Sequence, residues 1–152
     1  MNLIQELIIL IMNAAKTALE NIKRFGEYSF LKFQKKSFTN IELQLKVNQL
    51  AHYLINKGIG ENDRVLVILP NLPEVLISYQ AILKIGAVIV PINVSLSVNE
   101  INYIIENCEP KLIITDIGNE QKIIQSIVKI ENKPMLYLID DRQHELPVSQ
   151  EL

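Results

Sequence analysis

Cysteine, histidine and glycine are scarce in this chain, and each scarcity removes a class of chemistry. One cysteine, Cys108, occurs among 152 residues, so an internal disulfide is excluded. With only two histidines, His52 and His144, no Cys/His spacing of the kind that binds zinc is present. A lone thiol is in keeping with a reducing, cytoplasmic setting. The five glycines, Gly26, Gly58, Gly60, Gly86 and Gly118, include no adjacent pair. A phosphate cradle needs a glycine-rich turn that lets backbone N–H groups approach the oxygens. "LKIGAV" places Lys84 near Gly86 but lacks the Gly-Lys-Ser/Thr order. No serine stands in a G-x-S-x-G elbow.

Charge of one sign and long apolar runs are lacking too. The formal net charge of −2 provides no basic field for nucleic acid and no acidic tail. Basic residues are scattered, and the densest pair, Lys35-Lys36, fits a turn. At the N-terminus, "MNLIQELIILIMNAAK" has an apolar core only from Leu7 to Met12, with Glu6 where a signal peptide carries positive charge. That core is far below the roughly 18 apolar residues of a membrane span. Leu3, Leu7, Leu10, Ala14 and Ala18 recur at helical spacing. The spacing predicts a helix over 1–24, amphipathic or buried, and leaves a peripheral membrane contact open.

What the chain does have is apolar content, 49%, with a length that buries a real core. "EYSFLKFQKKSF" predicts a β-hairpin over 27–38, with Tyr28, Phe30, Leu31 and Phe33 in one strand, Ser37-Phe38 in the other, and Gln34-Lys35-Lys36 as the turn. Thr39 followed by Glu42 reads as a capping box that opens a helix over 39–58. Leu43, Val47, Leu50, Ala51 and Leu54 form its apolar stripe, and Gly58 ends it. From 63 to 140 the pattern repeats as strand and helix. "RVLVILP" is a continuous apolar run suited to a strand buried on both faces. Pro73 suits the first turn of the next helix, whose apolar face is read as Val75, Leu76, Tyr79, Ile82 and Leu83. "AVIVPIN" is the second strand. Ser97 and Glu100 cap "INYIIEN", and Pro110 precedes the strand "KLIITD". "NEQKIIQSIVKI" and "MLYLID" complete a further helix and strand, and 141–152 is a polar tail. The fold class is α/β, a mostly parallel sheet with helices on both faces, preceded by a helix and a small hairpin.

Open α/β sheets bind ligands at the carboxyl ends of their strands, here Pro70-Asn71, Pro91-Ile92-Asn93, Thr115-Asp116 and Asp140-Asp141. Asp116 with Asp140-Asp141 is the one acid set able to hold a cation, but "RVLVILPN" ends in Pro-Asn where a phosphorelay receiver carries an acid pair. Asp116 is read as starting a turn, and Asn71 and Asn93 as turn formers. His52 falls opposite the apolar stripe and is read as a surface residue, as is His144 in the tail. Cys108 is read as a small semi-buried side chain, and Tyr79 and Tyr103 as packing residues.

Several fragments, in order, resemble the start of the adenylate-forming (AMP-dependent) ligase superfamily, acyl-CoA synthetases in particular. "FTNIEL" is similar to its first core motif, with Asn40 where Tyr is usual. "VNQLAHYL" resembles the helix that follows. "GIGENDRV" is similar to Gly-Val-x-x-Gly-Asp-x-Val, with Asn62 in place of the second Gly. "LPNLPE" and "LKIGAVIVPIN" match best, and "EINYIIENCEPKLIITD" resembles the next stretch. Asn93 stands where amino-acid-activating domains often carry Asp, which leans towards the acyl-CoA synthetases.

The resemblance implies a complete enzyme that uses ATP and Mg²⁺ to convert a carboxylic acid to an acyl-adenylate and then passes the acyl group to a thiol such as coenzyme A. The family's phosphate loop, ribose-binding Asp and mobile-domain lysine lie downstream of the matched region. No catalytic, cofactor-binding or metal-binding residue is therefore carried over, and the chain alone is expected not to be catalytic. The expected partners are the remaining subdomains or a companion chain, and self-association is expected of the isolated chain. Two alternatives stand beside this reading: a noncatalytic module that packs on a partner, and an unrelated doubly wound binding domain.

Overall fold

The computed structural model describes residues 14–140; the turns of the expected first helix before Ala14, and the tail with Asp141 and His144, lie outside that range. Helix α1 (Ala14–Phe25) leads into an antiparallel hairpin of β1 (Ser29–Phe33) and β2 (Lys36–Thr39). The hairpin thus runs from 29 to 39, and Lys36, expected in the turn, pairs with Phe33 inside it. Gln34 takes the left-handed backbone of the turn at φ 52°. The adjacent apolar pair Phe30-Leu31 breaks a strict alternation because the register shifts between Ser29 and Leu31, a bulge that inserts one extra residue.

Helix α2 (Asn40–Asn56) begins where the sequence puts its cap. Glu42 N donates to Thr39 Oγ1 at 3.1 Å, and Thr39 N donates to the Glu42 carboxylate at 2.8 Å. Asn40, in the position where the resembled motif has Tyr, clamps the incoming chain. Its Oδ1 accepts from Tyr28 N at 3.0 Å, its Nδ2 donates to Gly26 O at 2.9 Å, and its own N donates to Tyr28 O at 3.1 Å. Gly58 closes the helix at φ 75°, and Ile59 N reaches back to Leu54 O at 2.9 Å, the hydrogen bond of a Schellman stop.

The main sheet holds β3 (Arg64–Ile68), β4 (Val88–Pro91), β5 (Leu112–Asp116) and β6 (Met135–Ile139), all parallel, in the order β4-β3-β5-β6. Helices α3 (Pro73–Lys84), α4 (Val98–Cys108) and α5 (Glu120–Ile127) connect them. The chain steps one way from β3 to β4, then back past β3 to β5 and β6. Right-handed crossovers convert that reversal into a change of face: α3 lies on one side, α4 and α5 on the other.

The core divides accordingly. Val65, Val67, Leu112, Ile114, Tyr137 and Ile139 point to the side of α2 and α3. Leu66, Ile68 and Ile113 point to Ile101 and Ile105 of α4 and to Ile123 and Ile127 of α5. Adjacent residues of one strand thus enter opposite clusters, which is why "RVLVILP" reads as an unbroken apolar run.

The face of α3 differs from the sequence reading. Its buried residues are Pro73, Glu74, Ile77, Ser78, Ala81 and Ile82, whereas Leu76 and Leu83 are exposed. The stripe Val75-Leu76-Tyr79-Ile82-Leu83 has more apolar surface, but α3 packs on both α1 and α2, and that wedge selects the smaller residues. Tyr103 is likewise 67% exposed on α4 and not a packing residue; Tyr79 is half-buried against the α2–α3 cluster.

Asn62, the departure from the resembled Gly, takes φ 65°. Glycine adopts that conformation freely and Asn tolerates it better than other residues. Asn62→Gly is therefore expected to leave stability unchanged or slightly raised, and Asn62→Ala to lower it by about 1 kcal/mol. Urea denaturation of the two variants measures the difference; equal midpoints would contradict it.

Candidate functional site

The reversal of strand order puts the topological switch point between β3 and β5, so the carboxyl ends of these strands are the place to look for a site. At the end of β3 the chain runs through Leu69 and Pro70 to an exposed Asn71 and enters α3 at Pro73. At the end of β5, Thr115 and Asp116 are both buried. Asn119 Nδ2 donates to Asp116 Oδ1 at 2.6 Å, and a 3₁₀ turn (Ile117–Asn119) follows. Asp116 therefore starts a turn. Gly118 is held against it: a Cβ there would come within 2.8 Å of Asp116 Oδ2.

Beyond β4, Ile92 N donates to Val67 O at 2.9 Å, still bound to β3. Asn93 Oδ1 then accepts from Ser95 N at 2.8 Å, and Leu96 N donates to Asn93 O at 3.2 Å. Asn93 uses its side chain to close its own loop, a local Asx turn. Lys122, near the start of α5, donates to Val94 O at 2.6 Å and pins the same loop.

A magnesium-bound nucleotide asks for a row of backbone N–H donors, a free cation and oxygen ligands for the metal. At this edge Pro70, Pro73 and Pro91 supply no N–H donor, and Lys122 is committed to a carbonyl. Among the described residues no group of three or more His, Cys, Asp or Glu gathers to hold a metal ion. The residues of this edge do not fit such a nucleotide.

The denser polar network lies at the opposite, amino edge. Asp63 accepts from Lys111 Nζ at 2.9 Å and from Gly60 N at 2.8 Å, and Lys111 also donates to Gly58 O at 2.6 Å. Arg64 donates from Nε to Cys108 O and from Nη2 to Glu109 O at 3.2 Å, so its guanidinium covers the last carbonyls of α4, where a cation is favoured. A cleft of about 580 Å³ opens beside these residues, lined among others by Glu106, Lys129, Glu131 and Lys133. The network latches the end of α2 to the start of β5.

The hydrogen bond from Lys111, and next that from Gly60 N, hold the Asp63 carboxyl below its usual value. A depressed folded-state pKa stabilises above the unfolded value, near 3.8, and that contribution fades as pH falls below it. Asp63→Asn is thus expected to cost at most about 1 kcal/mol at pH 7, because the pair is partly solvent-exposed, and less at pH 3. Denaturation at the two pH values reads the convergence; a constant difference would contradict the linkage.

His52 is exposed on α2. Cys108 is half-buried, and burial pushes its thiol up, away from the thiolate that a nucleophile needs. Asp140 is half-buried after β6. Glu74 and Ser78 are both buried on α3, outside the apolar face that the sequence gives for that helix. Among the described residues no helix is long and apolar enough to cross a membrane.

Comparison with known proteins places these features in a context. The profile of the AMP-binding enzymes matches residues 18–151. The chain is 29% identical over 132 residues to a 3-hydroxybenzoate–CoA/4-hydroxybenzoate–CoA ligase of Thauera aromatica, covering 86% of this chain and 25% of that protein. It is 34% identical over 87 residues to the malpibaldin synthetase of Mortierella alpina, covering 57% of this chain and 2% of the synthetase. Among solved structures, the coronafacic acid ligase of Pectobacterium brasiliense shares the fold with a TM-score of 0.78 at 24% identity, over 88% of this chain and 27% of that one. The chain thus spans about a quarter or less of the length of these relatives.

Proposed function

The chain belongs to the family of AMP-binding enzymes, and we propose from this that it forms the N-terminal scaffold subdomain of an ATP-dependent acid–thiol ligase of acyl-CoA synthetase type. The observation that carries the reading is the family match over nearly the whole chain, joined to a carboxyl edge where several polar side chains bind their own loops. Asn93 to Ser95, Asn119 to Asp116 and Lys122 to Val94 shape the edge of a sheet and leave little for a ligand. ATP, Mg²⁺ and a thiol such as coenzyme A belong, in this reading, to residues that the chain does not contain. Family membership displaces the unrelated doubly wound binding domain as an alternative.

The acid is left open, since the relatives' names run from a hydroxybenzoate–CoA ligase to the malpibaldin synthetase. The scaffold reading also accounts for apolar surface at a sheet edge. Val88 on the outer strand β4 and Leu76 and Leu83 on α3 are exposed, and such groups favour burial against further protein. The remaining ligase subdomains, in the same or a companion chain, would cover them, and without these the chain would self-associate.

ATP–pyrophosphate exchange with a panel of fatty and aromatic acids tests the proposal. The purified chain is expected to give no exchange above background and to scatter light as species larger than a monomer. Unaided exchange dependent on an added acid would overturn the scaffold reading.

A further inference from the structure

The cations of the chain are concentrated in a way that the overall charge of −2 conceals. Residues 14–39, which comprise α1 and the hairpin, hold six Lys and Arg against two Glu, a charge of +4. The rest of the chain, nine cations against fifteen acids, carries −6. Lys23, Arg24, Lys32, Lys35 and Lys36 are all exposed, and none of them forms an ion pair among the described residues.

The same stretch exposes apolar side chains. Leu19 is 44%, Phe25 60%, Tyr28 37% and Phe30 46% exposed. Tyr28 and Phe30 pair their rings at 6.3 Å and share with Ala18 and Asn21 of α1 the walls of one small cleft, so helix and hairpin form a continuous face. Leu19 and Lys23 are one turn apart on α1, and Phe30 and Lys32 alternate on the outward side of β1. The Arg24 guanidinium lies 5.1 Å from the centre of the Phe25 ring.

Exposed aromatic and aliphatic groups interleaved with unpaired cations are the chemistry that recognises an interface with apolar interior and anionic surface. We propose that the face formed by α1 and the β1–β2 hairpin docks on an anionic lipid bilayer surface. Phe25, Tyr28, Phe30 and Leu19 enter the headgroup boundary, and Lys23, Arg24, Lys32, Lys35 and Lys36 meet the lipid phosphates. The bilayer is favoured over a protein partner because the charge is spread over a helix and a hairpin whose one shared cleft is small, and a lipid surface needs no groove. This inference does not depend on the ligase reading.

Vesicle flotation of the full chain tests it. Binding is expected to phosphatidylcholine vesicles containing phosphatidylglycerol, and not to phosphatidylcholine alone, with release in high salt. Each cation near an anionic membrane surface contributes roughly a fivefold gain in partitioning. Lys23→Gln with Arg24→Gln should therefore weaken binding by roughly 30-fold, and Phe25→Ser with Phe30→Ser should weaken it at both low and high salt. Lys32→Gln with Lys35→Gln, on the hairpin instead of the helix, supplies an independent pair, and circular dichroism checks that each variant is folded. Residues 1–13 are identical in all variants, so an unchanged affinity across them would assign binding to that segment and overturn the proposal. Absence of wild-type binding, or equal binding to neutral vesicles, would overturn it as well. Self-association without vesicles that the same substitutions abolish would assign the face to a second copy, with the same consequence.

Discussion

Leu54→Ala is expected to lower the free energy of unfolding by about 3–4 kcal/mol, a large share of the roughly 5–15 kcal/mol of a typical domain. Leu54 is fully buried where α2 meets the sheet, among Leu50, Ala51, Val65 and Val67. Truncation removes three heavy atoms from water-free surroundings and leaves a cavity that a parallel sheet, tied by hydrogen bonds on both sides, is slow to fill. Ile105→Ala, on α4 across the sheet, removes the matching contact with Leu66, Ile68 and Ile113 and should cost a similar amount. The sheet separates the two positions and they share no cluster, so the losses should add in the double variant. Urea denaturation reads both. A loss below about 1 kcal/mol at either site would mean that its cluster is not a packed core.

The second large effect is expected at Asn40. Asn40→Ala deletes one acceptor and one donor that hold Tyr28 N and Gly26 O in a site where Asn40 is only 8% exposed. Losing both hydrogen bonds costs about 2 kcal/mol. The loss should be local as well as global: the Tyr28 amide, which Asn40 alone binds from its side chain, should exchange hydrogen faster than amides of β3 and β5. Asn40→Asp keeps the acceptor for Tyr28 N and places a negative charge at the start of α2, where it is favoured, so it should lie between wild type and Ala. If Asn40→Ala unfolds at the wild-type midpoint, the clamp is not what holds the hairpin to α2.

Much of the architecture was legible in residues close to one another. The Thr39–Glu42 and Ser97–Glu100 pairs are capping boxes in the folded chain, because a capping box closes within one turn and needs no distant partner. Gly58 at φ 75° and Pro73 in the first turn of α3 are equally local. The alternation of apolar runs with amphipathic stretches led to a parallel sheet covered on both faces, whereas the left-handed backbone of Asn62 was read only from the structure.

The tertiary structure alone decided the rest. Which side of α3 is buried depended on α1 and α2 pressing against it, so Ala81 and Ser78 entered the core while Leu76 and Leu83 stayed outside. That Lys122 spends its ammonium on Val94 O at the carboxyl edge, and that Asn40 clamps Gly26 and Tyr28, depended on segments meeting in space. Sequence determined the elements and their ends, because caps, stops and periodicity act over three or four residues. Strand order, buried faces and the partners of polar side chains arise from contacts between segments far apart in the chain, and no local pattern encodes which of the available surfaces will meet.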